Sequence, residues 1–172
     1  MTFLAIAYPN INDSDYRWIQ DIRQEHDRQF SIVEPHITLV FSTNKLDPSE
    51  FTEHIRDSLA KFRSFPITLD SARIIEDDSK NFFHAFLVPS NGFSEIEKLH
   101  DLLYHGALKS ELRLDIPFIP HLGIGSGSKA EMATLVDQVN SQKITISGYL
   151  EKVSIVEYDG SKVKDLSTVS LL

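Results

Sequence analysis

Pro35-His36-Ile37-Thr38-Leu39-Val40-Phe41 reads as the opening of a short buried strand. Far downstream, Pro120-His121-Leu122-Gly123-Ile124-Gly125 repeats its grammar, again with a histidine directly after a proline. Apolar residues dominate both runs and turn formers flank them, the mark of core strands. Side chains alternate between the faces of a strand, so His36 and Thr38 point one way while Ile37 and Leu39 point the other. The same alternation sets His121 and Gly123 against Leu122 and Ile124. Strands lying side by side with their apolar faces in the core would turn two imidazoles and the Thr38 hydroxyl into one cleft. Histidine is the side chain whose ordinary pKa lies near neutrality, so such a pair can take a proton at one ring and give one from the other. A single histidine at a strand start is usually a boundary residue; two in matching contexts predict a site.

The rest of the chain is organised around these strands. Phe3 to Tyr8 reads as a strand ended by Pro9-Asn10. Asn12-Asp13-Ser14-Asp15 offers a helix cap and first-turn acids. Trp18 or Ile19, Ile22, His26 and Phe30 then recur at helical spacing, with His26 packed or at a boundary. Asp47-Pro48-Ser49-Glu50 starts a helix that buries Phe51, Ile55, Leu59 and Phe62. Phe65 to about Glu76 alternates as a long strand, and Asp77-Asp78-Ser79-Lys80-Asn81 is a polar turn. The order then restarts: a strand from Phe82 to Val88, a helix on Phe93, Ile96, Leu99 or His100, and Leu103, and the strand of His121. A helix opens at Ser128, where Ser128 and Glu131 form a capping box, and buries Met132, Leu135, Val136 and Val139. Lys143 to Tyr158 is strand-rich, and Lys162 to Leu171 adds an edge strand.

This order predicts an α+β fold in one bilobal domain spanning 1–172, with lobes over about 1–78 and 79–172 and strand exchange between them permitted. It is a pseudo-twofold duplication of a β-α-β-α-β unit, with two mixed antiparallel sheets lining a central cleft and helices outside. His84 alternates with Phe82 and Phe86 and reads as core or cleft wall; His54, His100 and His105 read as surface or boundary residues.

Composition narrows the function. No apolar run approaches the roughly 18 residues needed to span a bilayer, and the amino terminus lacks the basic segment and cleavage site of a secretory signal. The chain has no cysteine, which removes disulfides, thiolate catalysis and Cys-based zinc sites and makes a cytoplasmic location the default expectation. His-x₃-His spacing is absent, so neither a metal nor another cofactor is expected. The formal net charge of −8 argues against a large nonspecific nucleic-acid surface. The expected partner is a small anionic molecule or a chain end, with no long duplex and no membrane, bound by a monomer.

The two motifs in their duplicated layout resemble the paired His-x-Thr/Ser-x motifs of the two-histidine (2H) phosphoesterase superfamily. Its branch of RNA 2′,3′-cyclic phosphodiesterases and 2′-5′ RNA ligase-like proteins is the nearest in pattern. The resemblance implies a bilobal fold and metal-independent hydrolysis of a cyclic phosphodiester, with RNA processing as the setting. Carried over, His36 and His121 take the acid/base roles and Thr38 contacts the phosphate. Arg23, a basic residue shortly before the first motif, becomes a candidate substrate contact, against a solvated helix face otherwise.

Gly123 departs from the pattern, because it stands where the family usually has Thr or Ser. Losing one hydrogen bond to a charged phosphate costs roughly 1.5–3 kcal/mol, about one to two decades in rate if the bond forms mainly in the transition state. Ser126, or backbone N–H groups of Gly123 to Gly127 arranged as an anion nest, would substitute; alternatively these glycines only form the turn into the helix capped by Ser128. A catalytically weak or inactive module that binds nucleotides or RNA ends is the rival expectation, and a metal-dependent hydrolase, inhibited by chelators, a third.

Overall fold

The computed structural model describes residues 1–78 and 81–172. Ser79 and Lys80, within the polar turn expected over 77–81, lie outside the described residues. The strands are β1 (Thr2–Ala7), β2 (Asn10–Ile11), β3 (Ile37–Thr43), β4 (Phe65–Glu76), β5 (Phe83–Asn91), β6 (Leu122–Gly127), β7 (Ile146–Leu150), β8 (Lys152–Tyr158) and β9 (Val163–Ser170). The helices are α1 (Asp13–His26), α2 (Pro48–Leu59), α3 (Phe93–Leu103) and α4 (Lys129–Ser141), with a 3₁₀ turn at Gly106–Glu111. No helix among the described residues is long and apolar enough to cross a membrane.

Local chemistry explains the helix boundaries. Asn12 accepts from the Asp15 backbone N–H at 2.8 Å to start α1. Asp47 with Glu50, and Ser128 with Glu131, close reciprocal capping boxes on α2 and α4, each satisfying N–H groups that the helix itself leaves orphaned. α1 stops at His26, so Phe30 falls in the turn beyond it instead of extending the helical stripe. α3 has no side-chain cap; Gly92 precedes it at φ +85°, where an added Cβ would lie 2.7 Å from Ile67 Cγ2 and 2.8 Å from the Pro66 carbonyl oxygen. Only glycine fits there.

All strand pairings are antiparallel, in the order β2-β7-β4-β5-β6-β3-β1-β8-β9. The expectation of two sheets is thereby corrected to one. The halves join where β3 meets β6 through a single bridge, Ile37 opposite Leu122. Both residues are fully buried, and buried backbone groups on two facing edges would be left unpaired without that contact. β4, from the first half of the chain, pairs with β5; β8, from the second half, pairs with β1. Helices cross over likewise: α1 packs on β6, α3 on β3. Ile37, Leu39, Leu122 and Ile124 enter the common core from beneath the seam.

The two motif strands share an irregularity. Against β1, Ala5 pairs Val40 while Ile6 pairs Thr38, so one extra residue is inserted at Leu39/Val40. Against β5, Ala85 pairs Gly125 while Phe86 pairs Gly123, so the extra residue falls at Ile124/Gly125. Counted from His36 and His121, the two bulges occupy the same position. Each bulge rephases the alternation: Leu39 and Val40 are both buried, as are Ile124 and Gly125, which returns Phe41 and Ser126 to the cleft face.

Gly92→Ala forces the left-handed conformation and the Ile67 clash together, so it should cost roughly 2–4 kcal/mol. Gly160→Ala, at φ +99° with no atom within 4 Å of the added Cβ, carries the conformational cost alone. Urea unfolding of the two variants should show Gly92→Ala clearly the less stable.

Candidate active site

Each motif histidine is held by the same local device. His36 Nδ1 lies 2.8 Å from the Glu34 carbonyl oxygen, and His121 Nδ1 lies 2.6 Å from that of Ile119. A carbonyl only accepts, so Nδ1 carries the proton and donates in both rings, which leaves Nε2 as the lone-pair nitrogen of each neutral imidazole. Pro35 and Pro120 set this up: proline fixes its own φ and holds the residue before it extended, which keeps that residue's carbonyl in position for the ring two residues on.

The bridge between Ile37 and Leu122 fixes how the motifs face each other. In an antiparallel register the flanking residues share the opposite face from the bridging pair, so His36 comes across from Gly123 and Thr38 across from His121. All four line one cleft of about 560 Å³ together with Arg23 and Ser126, so every site residue expected from the sequence borders the same space. Burial pushes His36 below the ordinary histidine value; the Glu34 carbonyl opposes the shift and the Arg23 charge adds to it. Burial also lowers His121, to about 4, with the Ile119 carbonyl opposing and His36 and His84 adding to the shift. Both rings are therefore neutral at pH 7 in the free protein. Thr38 and Ser126 hydroxyls have no protein partner among the described residues.

The glycine-rich stretch is neither turn nor nest. It is β6 itself, paired with β5 as far as Phe83 opposite Gly127, and the N–H groups of a strand alternate in direction instead of converging. That corrects the nest expectation and leaves Ser126 as the hydroxyl the bulge delivers. An added Cβ on Gly123 would meet nothing within 4 Å, so the missing hydroxyl corresponds to open space; on Gly125 it would strike Leu135 at 2.8 Å.

Arg23 does not lie on a solvated helix face. It is 1% exposed, and it donates to Asp27, Gln20 and the Val33 carbonyl at 2.7–2.9 Å. It thus braces the turn that leads into Pro35-His36 while bordering the cleft. His100 is buried at 3% exposure, not a surface residue, because its ring stacks on Phe118 at 3.7 Å. The sequence reading missed Phe86, whose ring lies 3.7 Å from that of His121 at 18° and continues to His84 at 5.4 Å. His84 is cleft wall, as its alternation with Phe86 signalled, and its Nε2 meets Asp77 at 3.0 Å.

A family model described as the 2′-5′ RNA ligase superfamily matches residues 11–162. The chain belongs to that superfamily, the 2H phosphoesterases. Escherichia coli LigT in complex with 3′-AMP is similar in fold at 14% identity and TM-score 0.62, covering 99% of this chain and 97% of that one. Kluyveromyces marxianus Usb1 is similar at 12% identity and TM-score 0.61, covering 99% and 98%. A comparison with curated protein sequences finds no match. For this 2H phosphoesterase superfamily member, two neutral rings with free Nε2 atoms beside an unpartnered hydroxyl form a site that can move protons on and off oxygen atoms around an anion.

Because the folded chain holds His121 at about 4, the unfolded chain takes up that proton first as pH falls below 6.5. Stability should therefore decline as pH drops from 6.5 towards 4, and the decline should be shallower in His121→Gln. Urea unfolding at several pH values tests this; identical slopes in the two proteins would contradict it.

Proposed function

We propose that this protein hydrolyses a cyclic phosphodiester without a metal ion, the substrate being a 2′,3′-cyclic phosphate on a nucleotide or RNA end. His36 and His121 act as its acid/base pair. The observation that carries the reading is the matched pair of imidazoles, each with Nδ1 tied to the carbonyl two residues back and Nε2 unengaged, bordering one cleft of about 560 Å³. Two solved relatives add support through their ligands: LigT holds 3′-AMP in one structure, and Usb1 holds uridine monophosphate in another.

In the proposed reaction a water oxygen attacks phosphorus while one Nε2 removes its proton. The bond from phosphorus to one ribose oxygen breaks, and the protonated second imidazole gives its proton to that oxygen, which yields a ribose phosphomonoester. One ring must therefore be charged at the start. Burial resists this in the empty cleft, whereas the negative charge of a bound cyclic phosphate favours it, so substrate binding and protonation reinforce each other. Thr38 donates to a non-bridging phosphate oxygen, and strain in the five-membered ring lowers the demand on the catalyst. The setting is a cytoplasmic monomer acting on small nucleotides or RNA ends.

The open space at Gly123 supports the second reading, a nucleotide-binding module with weak or no turnover. One assay separates the two. His36→Ala and His121→Ala should each reduce hydrolysis of 2′,3′-cyclic nucleotides by about 10²–10⁴-fold, and the wild-type rate should persist in EDTA. Saturable binding without product in the wild type would select the module instead, and loss of activity in EDTA would point to metal-dependent chemistry.

Gly123→Thr should fit without strain and raise kcat by roughly ten- to a hundredfold if the restored hydroxyl bonds the phosphate in the transition state. No gain, with the fold intact by circular dichroism, would mean that Ser126 or another donor already fills that role.

A further inference from the structure

Beyond the row of side chains nearest the motif histidines, the cleft holds further polar groups. The first row contains Thr38, Gly123 and Phe86. The next row lies two residues further along β5, about 6.6 Å away by strand geometry, and three further along β6 through its bulge, and there His84 stands opposite Ser126 in register. Arg28 borders the same end of the cleft. Its guanidinium carbon sits 4.6 Å over the Phe82 ring, and that ring packs edge-on against His84 at 5.3 Å.

These groups differ in how far they are committed. Among the described residues Arg28 makes no ion pair or hydrogen bond and Ser126 Oγ has no partner, while His84 is engaged only at Nε2. The neighbouring acids each have a partner: Asp27 is held by Arg23, Asp77 by His84, and Glu131 by the Ser128 cap, with the Arg28 charge also favouring the Glu131 carboxylate. A hydroxyl and a guanidinium without hydrogen-bond partners thus share one stretch of cleft wall with His84, whose Nε2 the Asp77 carboxylate holds. The adjoining cavity is more acidic, being bordered by Glu76, Asp78, Asp101 and Glu111 with Arg113, itself paired to Asp78 and Asp115, as its arginine, so an anionic extension of a substrate is turned away from it and towards Arg28.

We infer that Arg28, Ser126 and His84 form a second phosphate subsite, which takes the 5′ phosphate of the nucleoside whose 2′,3′ phosphate lies between His36 and His121. This rests on the function proposed above. One row of strand separates the two sites, a distance that a single ribose with its ester oxygens bridges. A terminal 5′-monophosphate and the internucleotide phosphate of an RNA end present the same group at that point.

The test measures affinity by isothermal titration calorimetry and so does not depend on turnover. Adenosine 3′,5′-bisphosphate should bind at least about tenfold more tightly than adenosine 3′-monophosphate, as a charge-assisted contact to phosphate requires. Arg28→Gln should erase most of that ratio, and Ser126→Ala part of it. The dinucleotide ApAp, compared with the bisphosphate, separates a site for diesters from one for terminal monoesters. Equal affinities for the mono- and bisphosphate, or a preference that survives Arg28→Gln, would overturn the subsite while leaving the cyclic-phosphate reaction standing. Failure of the same preparation to hydrolyse 2′,3′-cyclic AMP would overturn the reaction alone, and the affinity ratio would still decide the subsite.

Discussion

The two halves of the sheet meet at one backbone bridge, Ile37 with Leu122, and the candidate site depends on it. A bridge of one pair has two effects at once. It places the residues on either side of Ile37 and Leu122 within cross-strand distance on a single face, and it lets the strands diverge beyond that point so that the face opens into a cleft. The apolar side chains under the bridge make it costly to break. Ile37 and Leu122 are fully buried, and separating them would expose both side chains and strand their backbone groups. Chemistry above the sheet is therefore anchored by hydrophobic packing below it.

Crossing over of elements strengthens the same seam. α1 precedes the first motif in the chain yet packs on the second motif's strand, and α3 precedes the second motif and packs on the first motif's strand. β4 and β8 close the opposite halves in the same manner. Neither half can bury its own strands without elements from the other, so the histidines cannot drift apart through a hinge without unpacking helices from the sheet.

Electrostatics in the cleft run against the rest of the molecule. The chain carries a formal charge of −8, whereas the cleft lining balances Arg23 and Arg28 against Asp27 and Asp77 around two neutral imidazoles. Burial withholds protons from those rings, and the carbonyls of Glu34 and Ile119 fix which nitrogen is available. An anion entering such a site favours the charged form of an imidazole, so the empty cleft is set for protonation to accompany binding.

The local periodicities alone determined most of the elements: the capping boxes at Asp47/Glu50 and Ser128/Glu131, the buried stripes of α2 and α4, and the alternation that puts His36 with Thr38 and His121 with Gly123. Such signals are written in residues three or four apart, within reach of one turn of chain. Joining of the halves into one sheet, burial of Arg23 and His100, the stacking of Phe86 on His121 and the strand conformation of Gly123 to Gly127 were decided by tertiary structure. Each depends on which distant element arrives opposite. Ser126 shows the division most plainly: by strict alternation from His121 it would face the core, and only a bulge against β5 turns it into the cleft. A bulge is a mismatch in count between two paired strands, and one strand read by itself carries no record of its partner's count.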